Sequence, residues 1–121
     1  MREERINFET AKLARERGFN IPCQAEYFSK VKSEYSITIS TQNWNSDLYP
    51  NCYSAPTQSL LQKWLREEHN LKIGVNTPFN GSKDYQVSFP VNKIDWYNSD
   101  YYRTYEQALE KGLQEALKLI K

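Results

Sequence analysis

The sequence predicts an α+β fold in a single domain over residues 1–121, with an antiparallel sheet of three or four strands packed on one face by amphipathic helices. This prediction is based on two repeating patterns of side chains in the sequence. Residues 35–41 alternate between two side-chain classes, as in a half-buried strand, and residues 104–120 repeat apolar side chains at helical spacing. A chain of 121 residues with 39% hydrophobic and 26% charged residues has the size and composition of one globular domain.

The N-terminal half predicts a short helix followed by one or two strands. Asn7 is a suitable N-cap for a helix that Gly18 ends, because glycine adopts the left-handed conformation found after many helices. The alternation from Tyr35 to Thr41 predicts a strand. Residues 25–28 are a second candidate strand, which would pair with the first through a connection at residues 29–33.

The centre of the chain predicts a long loop and a second helix. Residues 42–56 are rich in Asn, Ser, Asp and Pro but contain large apolar side chains, which is typical of a loop with anchored rings. Ser54 or Thr57 is expected to cap the helix that follows. Asn70 is expected to end it, since asparagine tolerates the left-handed conformation.

A hairpin and a long helix are predicted for the C-terminal part. Residues 71–75 and 85–91 alternate around a turn, and Pro90 places the second strand at a sheet edge or ends it there, because proline donates no ladder hydrogen bond. Thr104 and Gln107 form a capping box before the last helix.

One residue of this helix, Gly112, carries a packing prediction of its own. Glycine in a helix interior costs about 1 kcal/mol relative to alanine, yet Gly112 aligns with Ala108 and Ala116 at four-residue spacing. The three small residues predict a flat stripe against which a strand or a large ring packs closely.

Charge and hydropathy argue against several classes of partner. The formal net charge is +1, and acidic and basic residues are mixed along the chain, whereas proteins that bind nucleic acid through phosphates show a basic excess or stripe. No segment approaches the roughly 20 apolar residues of a membrane span, and residues 1–5 are charged without an apolar region behind them. We therefore expect neither secretion nor membrane insertion.

The cysteines and the single histidine do not form a metal motif. Cys23, Cys52 and His69 are widely and irregularly spaced, without the close pairs typical of zinc sites. We expect reduced thiols, with a disulfide between Cys23 and Cys52 as the alternative, a helix-end role for His69, and no catalytic, cofactor or metal site.

Three segments resemble a known group of proteins. Residues 8–19, 55–69 and 105–120 are similar to a family of small uncharacterised proteins encoded by bacteriophages and by prophage regions of gut Bacteroidales bacteria. The resemblance implies expression in a bacterial cytoplasm and an accessory role in binding a host or phage component. It supplies no functional residue.

Aromatic residues in polar segments outside the clear periodic elements are the unusual feature of this sequence. They are Trp44, Tyr49, Tyr53, Trp96, Tyr97, Tyr101 and Tyr102. One interpretation makes them lids folded over a small core, because large rings bury much surface. The other makes six of them a partner-binding surface, since tyrosine and tryptophan are enriched in binding hot spots; these six are Trp96, Tyr97, Tyr101, Tyr102, Trp44 and Tyr49. In the segment 95–102 we expect at least one ring to stay largely exposed.

Three functions remain open at this point. The first is a non-catalytic protein-interaction module that binds a host or phage protein through these rings. The second is a single-stranded nucleic-acid-binding protein that stacks bases on them, with Lys93 and Arg103 nearby. The third is a small hydrolase that uses scattered carboxylates such as Asp47, Asp95 and Asp100, whose spacing does not favour catalysis.

Overall fold

A computed structural model describes residues 4–77 and 83–120. The chain divides into two compact units, Met1–Thr57 and Gln58–Lys121. Each unit contains an antiparallel sheet and at least one helix, which confirms the α+β class. The expectation that the whole chain is a single domain stays a prediction.

The first unit contains one helix and a three-stranded sheet. Helix α1 spans Phe8–Glu16, and strands β1, β2 and β3 span Cys23–Phe28, Val31–Gln42 and Cys52–Ser54. The strand order is β2-β1-β3, with antiparallel pairing throughout. The weaker candidate strand at 25–28 is therefore confirmed, and β1 turns directly into β2.

Both ends of α1 follow the local signals of the sequence. The Asn7 side chain accepts a hydrogen bond from the Thr10 backbone N–H at 2.9 Å, as an N-cap does. Gly18 has φ +91°, a conformation that favours glycine. The helix buries Phe8, whose ring meets Tyr27 of β1 edge-on at 5.7 Å. The apolar stripe of α1 thus forms the core of this unit.

Two features of the first unit differ from the sequence prediction. The strand predicted at 35–41 exists and is longer, but Ile37 on it is 57% exposed. It lies on β2, an edge strand, and alternation alone does not say whether another element covers a face. The predicted loop 42–56 contains the short strand β3, which pairs with β1 through Tyr27 and Tyr53.

The second unit contains two helices and a second three-stranded sheet. Helices α2 and α3 span Gln58–His69 and Tyr105–Leu119, and strands β4, β5 and β6 span Gly74–Asn76, Gln86–Pro90 and Trp96–Asn98. The strand order is β4-β5-β6, again antiparallel. The pairing of β4 with β5 confirms the two strands of the predicted hairpin, whereas the turn predicted at Asn80 and Gly81 lies outside the described residues.

Local signals again set the ends of the helices in this unit. The Thr104 hydroxyl accepts a hydrogen bond from the Gln107 backbone N–H at 3.0 Å and caps α3. Asn70 follows α2 with φ 54°, the left-handed conformation predicted for it. Gly112 packs against Val87 of β5, so the small stripe of α3 does face a strand.

The strands divide between two sheets, whereas the sequence predicts a single sheet of three or four strands. The alternation along a strand shows which side chains share a face, but not which strands pair. Within the described residues, no helix is long and apolar enough to cross a membrane.

Candidate interaction surface

Two neighbouring rings on β6 point to opposite faces of the second sheet. Tyr97 stacks on Phe89 of β5, with ring centroids 5.0 Å apart and planes at 29°, and Phe89 belongs to the buried core. Because side chains alternate along a strand, Trp96 lies on the other face, where 60% of its surface is exposed. Tyr97 therefore anchors the strand that presents Trp96.

Beyond β6, a bulge held by Ser99 sets the position of Tyr101. The Ser99 hydroxyl accepts a hydrogen bond from the Val87 N–H at 3.0 Å and donates one to the Asp100 carbonyl at 2.7 Å. Tyr102 and Tyr85 then exchange two backbone hydrogen bonds of 2.8 and 2.7 Å. Tyr101 lies between these fixed points and remains 58% exposed.

On the other side of β6, a tight turn presents Ile94. The Asn92 side-chain oxygen accepts hydrogen bonds from the backbone N–H groups of Ile94 and Asp95, both at 2.8 Å. The Val91 N–H donates to the Asp95 carbonyl at 2.9 Å. Ile94 is 86% exposed at the tip of this turn. We call Ile94, Trp96 and Tyr101 together the β6 surface.

The strand residues on the face of the sheet that carries Trp96 are uncharged. By the alternation, this face carries Asn76, Gln86, Ser88 and Asn98, and all four are exposed or half-exposed. On the opposite face, charges are paired: Lys111 and Glu115 of α3 lie 2.9 Å apart.

This ion pair lies beside the Tyr97 phenol and affects it. Burial raises the pKa of Tyr97, and the Glu115 carboxylate raises it further while Lys111 opposes the rise. Tyr97 therefore stays neutral at physiological pH, so the anchor of β6 carries no charge.

Four of the six rings proposed from the sequence as a partner-binding surface belong to the second unit, and two of these four are exposed. Trp96 and Tyr101 are exposed, as expected for at least one ring of the segment 95–102, whereas Tyr97 and Tyr102 are half-buried and hold the backbone in place.

Trp44 and Tyr49 belong to the first unit, where they anchor a loop. The indole N–H of Trp44 donates to the Cys23 carbonyl at 2.9 Å, and the two rings pack with centroids 4.8 Å apart. The Tyr49 hydroxyl donates to the Gln42 side-chain oxygen at 3.3 Å. These contacts fit the lid interpretation for these two rings.

Arg15 organises the same loop, and the sequence gives no sign of this. Its guanidinium donates to the carbonyls of Trp44 and Tyr49 at 3.2 and 3.0 Å and also to the Cys52 carbonyl. It lies over the Tyr53 ring at 5.6 Å. A planar group with five donors suits several converging carbonyls, but their convergence is a product of the fold.

The first unit also has an open cleft of about 510 Å³ beside β1 and β2. Two of the polar side chains that line it have partners within the unit. Arg5 donates to the Ala55 carbonyl at 2.7 Å and lies over the Tyr35 ring at 5.7 Å, and the Tyr27 hydroxyl donates to the Ile6 carbonyl at 2.8 Å. Arg5 and Tyr27 in this cleft therefore hold the fold together.

The two cysteines are free and far apart along the first sheet. Cys52 pairs with Phe28, five residues from Cys23 on β1, and at about 3.3 Å per residue this is a separation of roughly 16 Å. A disulfide requires Cα atoms within about 7 Å. Burial raises the pKa of the Cys23 thiol to about 11 and also raises the pKa of the Cys52 thiol.

The other chemical groups singled out in the sequence have local contacts within their own units. Asp95 accepts a hydrogen bond from the Asn92 amide within its turn, and Asp47 belongs to the first unit. His69 packs its ring against Trp64 at 4.7 Å. Across residues 4–77 and 83–120, no three His, Cys, Asp or Glu side chains are grouped to hold a metal ion.

Comparisons of the chain with protein-family models, with curated proteins and with solved structures give no match.

Proposed function

We propose that this chain is a non-catalytic protein-interaction module of the small phage or prophage accessory type, and that the β6 surface contacts its partner. The partner is a host or phage protein in the bacterial cytoplasm. The observation that carries the proposal is the exposure of Trp96 and Tyr101 on a backbone segment whose neighbouring side chains are anchored.

The anchoring supports the proposal because binding then costs little ordering of the surface. Phe89 fixes Tyr97 on one side of Trp96, and Ser99 fixes the bulge before Tyr101. Rigid aromatic side chains supply large contact area with few rotatable bonds, and preorganisation reduces the free-energy cost of association.

The charge distribution supports a protein partner over nucleic acid. Asn98 and Ser88 share the face of Trp96, and neither carries a cation that could neutralise phosphate. Lys93 and Arg103 flank the surface in sequence, but Asp95 and Asp100 lie between them along the chain. The segment is therefore balanced in charge.

A double variant, Trp96→Ala with Tyr101→Ala, tests this function. The immobilised protein is used to capture partners from lysate of a Bacteroidales host, with and without nuclease treatment, and the amount captured by the variant is compared with that captured by wild type. We expect a loss of at least tenfold with little change in melting temperature. Leu48→Ala is the matched control, because Leu48 is 82% exposed in the first unit.

Two results would contradict the proposal. Equal capture by the double variant and wild type would show that the β6 surface does not bind the partner. Capture that disappears from wild type on nuclease treatment would indicate nucleic-acid binding through the same rings.

A further inference from the structure

The hydrogen bonds of β6 show which of its peptide groups face outward. The Ser99 N–H donates to the Val87 carbonyl, and the Val91 N–H donates to the Asp95 carbonyl. In an antiparallel ladder, bonded and non-bonded pairs alternate, so Phe89 and Tyr97 form the bonded pair between these two contacts. The peptide groups of Trp96 and Asn98 therefore point away from β5.

These outward groups lie on a free sheet edge. β6 is the last strand in the order β4-β5-β6, and the described residues provide no hydrogen-bond partner for the backbone of Trp96 or Asn98 on that side. Each of the two residues contributes one N–H and one C=O. The edge thus presents two donors and two acceptors in strand geometry.

One edge strand of the first sheet, β2, carries protection that β6 lacks. Proteins guard exposed edges with charged side chains, bulges or proline. β2 has both of the first two, since Lys32 and Glu34 lie on it and its pairing with β1 shifts register twice. β6 consists of Trp, Tyr and Asn, which carry no charge at neutral pH, and its length of three residues is what limits pairing with another chain.

From this geometry we propose that the β6 edge binds an extended segment of the partner protein as an additional strand. This inference rests on the proposed function and specifies its binding mode. Backbone groups of the segment pair with those of Trp96 and Asn98, and alternate side chains of the segment lie beside Trp96. Because the strand residues on that face of the sheet are uncharged, the segment has uncharged, apolar or β-branched residues at those positions.

The main-chain groups favour an extended peptide over other occupants. A helix already satisfies its own backbone hydrogen bonds and offers none to a sheet edge. A second copy pairing through β6 would match three residues with three, which spans about 10 Å and buries much less than a stable dimer needs.

The test begins with a displayed library of random dodecapeptides, selected on the immobilised full-length protein. We expect enriched sequences with alternating apolar or β-branched residues and without proline. A synthetic peptide from this set is then titrated into isotope-labelled wild-type protein. Amide exchange at Trp96 and Asn98 should slow by at least tenfold, while the Tyr97 amide, already bonded to Phe89, changes less.

Variants at one position separate the backbone from the side chain. Asn98→Pro removes the outward N–H without removing a bond to β5, and proline is tolerated on edge strands. Asn98→Ala removes the side chain alone. We expect Asn98→Pro to weaken binding of the same peptide at least tenfold more than Asn98→Ala does, with both variants checked by melting curves.

The inference would be overturned if no peptide is enriched, or if the enriched peptide is helical when bound. Unchanged amide exchange at Trp96 and Asn98 would also overturn it. Slower amide exchange at these residues that depends on protein concentration alone would mean that a second copy occupies the edge. If the amides are unchanged but Trp96→Ala abolishes peptide binding, the edge inference falls and the proposed function stands. If Trp96→Ala also has no effect, both fall.

Discussion

Gly112 of α3 lies so close to Val87 of β5 that a β-carbon at position 112 would overlap Val87 Cγ2, and it would lie 3.0 Å from Val87 Cγ1. The same atom would lie 3.2 Å from Ile73 Cγ2. Val87 is fully buried, so its side chain cannot turn out into solvent to make room. The contact brings α3 against the sheet that carries β6.

Enlarging Gly112 should therefore destabilise the protein even though helix propensity improves. We expect Gly112→Leu to lower the free energy of unfolding by about 1–3 kcal/mol through overpacking, beyond the gain of up to about 1 kcal/mol from replacing glycine in a helix. Urea denaturation measures the change. Val87→Ala combined with Gly112→Ala should cost less than the sum of the two single variants, and strict additivity would contradict direct packing.

Adjacent substitutions on β6 should separate anchor from surface. We expect Tyr97→Ala to lower the free energy of unfolding by about 1–3 kcal/mol, because it removes the stack on buried Phe89. Trp96→Ala, one residue away, should cost less than about 1 kcal/mol, since its ring is largely exposed. A loss of about 3–5 kcal/mol for Trp96→Ala would identify that ring as core.

Arg15 should be essential to the loop that it organises. We expect Arg15→Ala to cost about 2 kcal/mol or more, because three loop carbonyls lose a charged donor, and amide exchange in residues 43–52 should accelerate. Arg15→Lys should not restore the loop, since an ammonium lacks the planar fork. Arg17→Ala is the control on the same segment, because Arg17 forms a long ion pair with Glu16 at 3.9 Å.

Glu26 on β1 should make stability depend on pH. Its Oε2 atom is buried without a hydrogen-bond partner among the described residues, and burial raises the pKa of this carboxyl. A raised folded-state pKa means that stability falls as pH rises from the unfolded value of about 4.3 through the folded value.

Glu26→Gln should therefore raise the melting temperature at pH 7, and the difference should vanish below about pH 3, where the carboxyl is protonated in both states. Glu34→Gln on β2 is the control, because Glu34 is exposed. A lower melting temperature for Glu26→Gln at pH 7 would show that the carboxylate is stabilising.

Reduction and chelation should leave the fold unchanged. The thiols are free, so we expect melting curves with and without reductant or chelator to coincide within about 1 °C, since an effect of about 1 kcal/mol would shift the midpoint by several degrees. In the native protein Cys23 should react with a thiol reagent more slowly than Cys52, because burial raises its pKa to about 11 and the thiolate is the reactive form. Equal rates for the two would contradict the described burial.

The sequence alone determined those features that depend on neighbouring residues. Asn7 and Thr104 cap their helices, and Gly18 and Asn70 end theirs, because each acts on backbone groups within a few residues. The sequence also predicted at least one exposed ring in residues 95–102, and Trp96 and Tyr101 are exposed. The reason assumed from the sequence, a segment without alternation, was wrong, because residues 96–98 form β6 and its alternation turns Trp96 away from the core.

The tertiary structure decided those features that join distant parts of the chain. The division of strands between two sheets, the loop carbonyls around Arg15 and the Ser99 bulge against Val87 each depend on pairings across about 10 to 40 residues. The free edge of β6 belongs to this group, because a strand becomes an edge only when its neighbours are known. Side-chain pattern specifies a face, whereas sheet order follows from which long-range contacts best satisfy backbone hydrogen bonds and burial together.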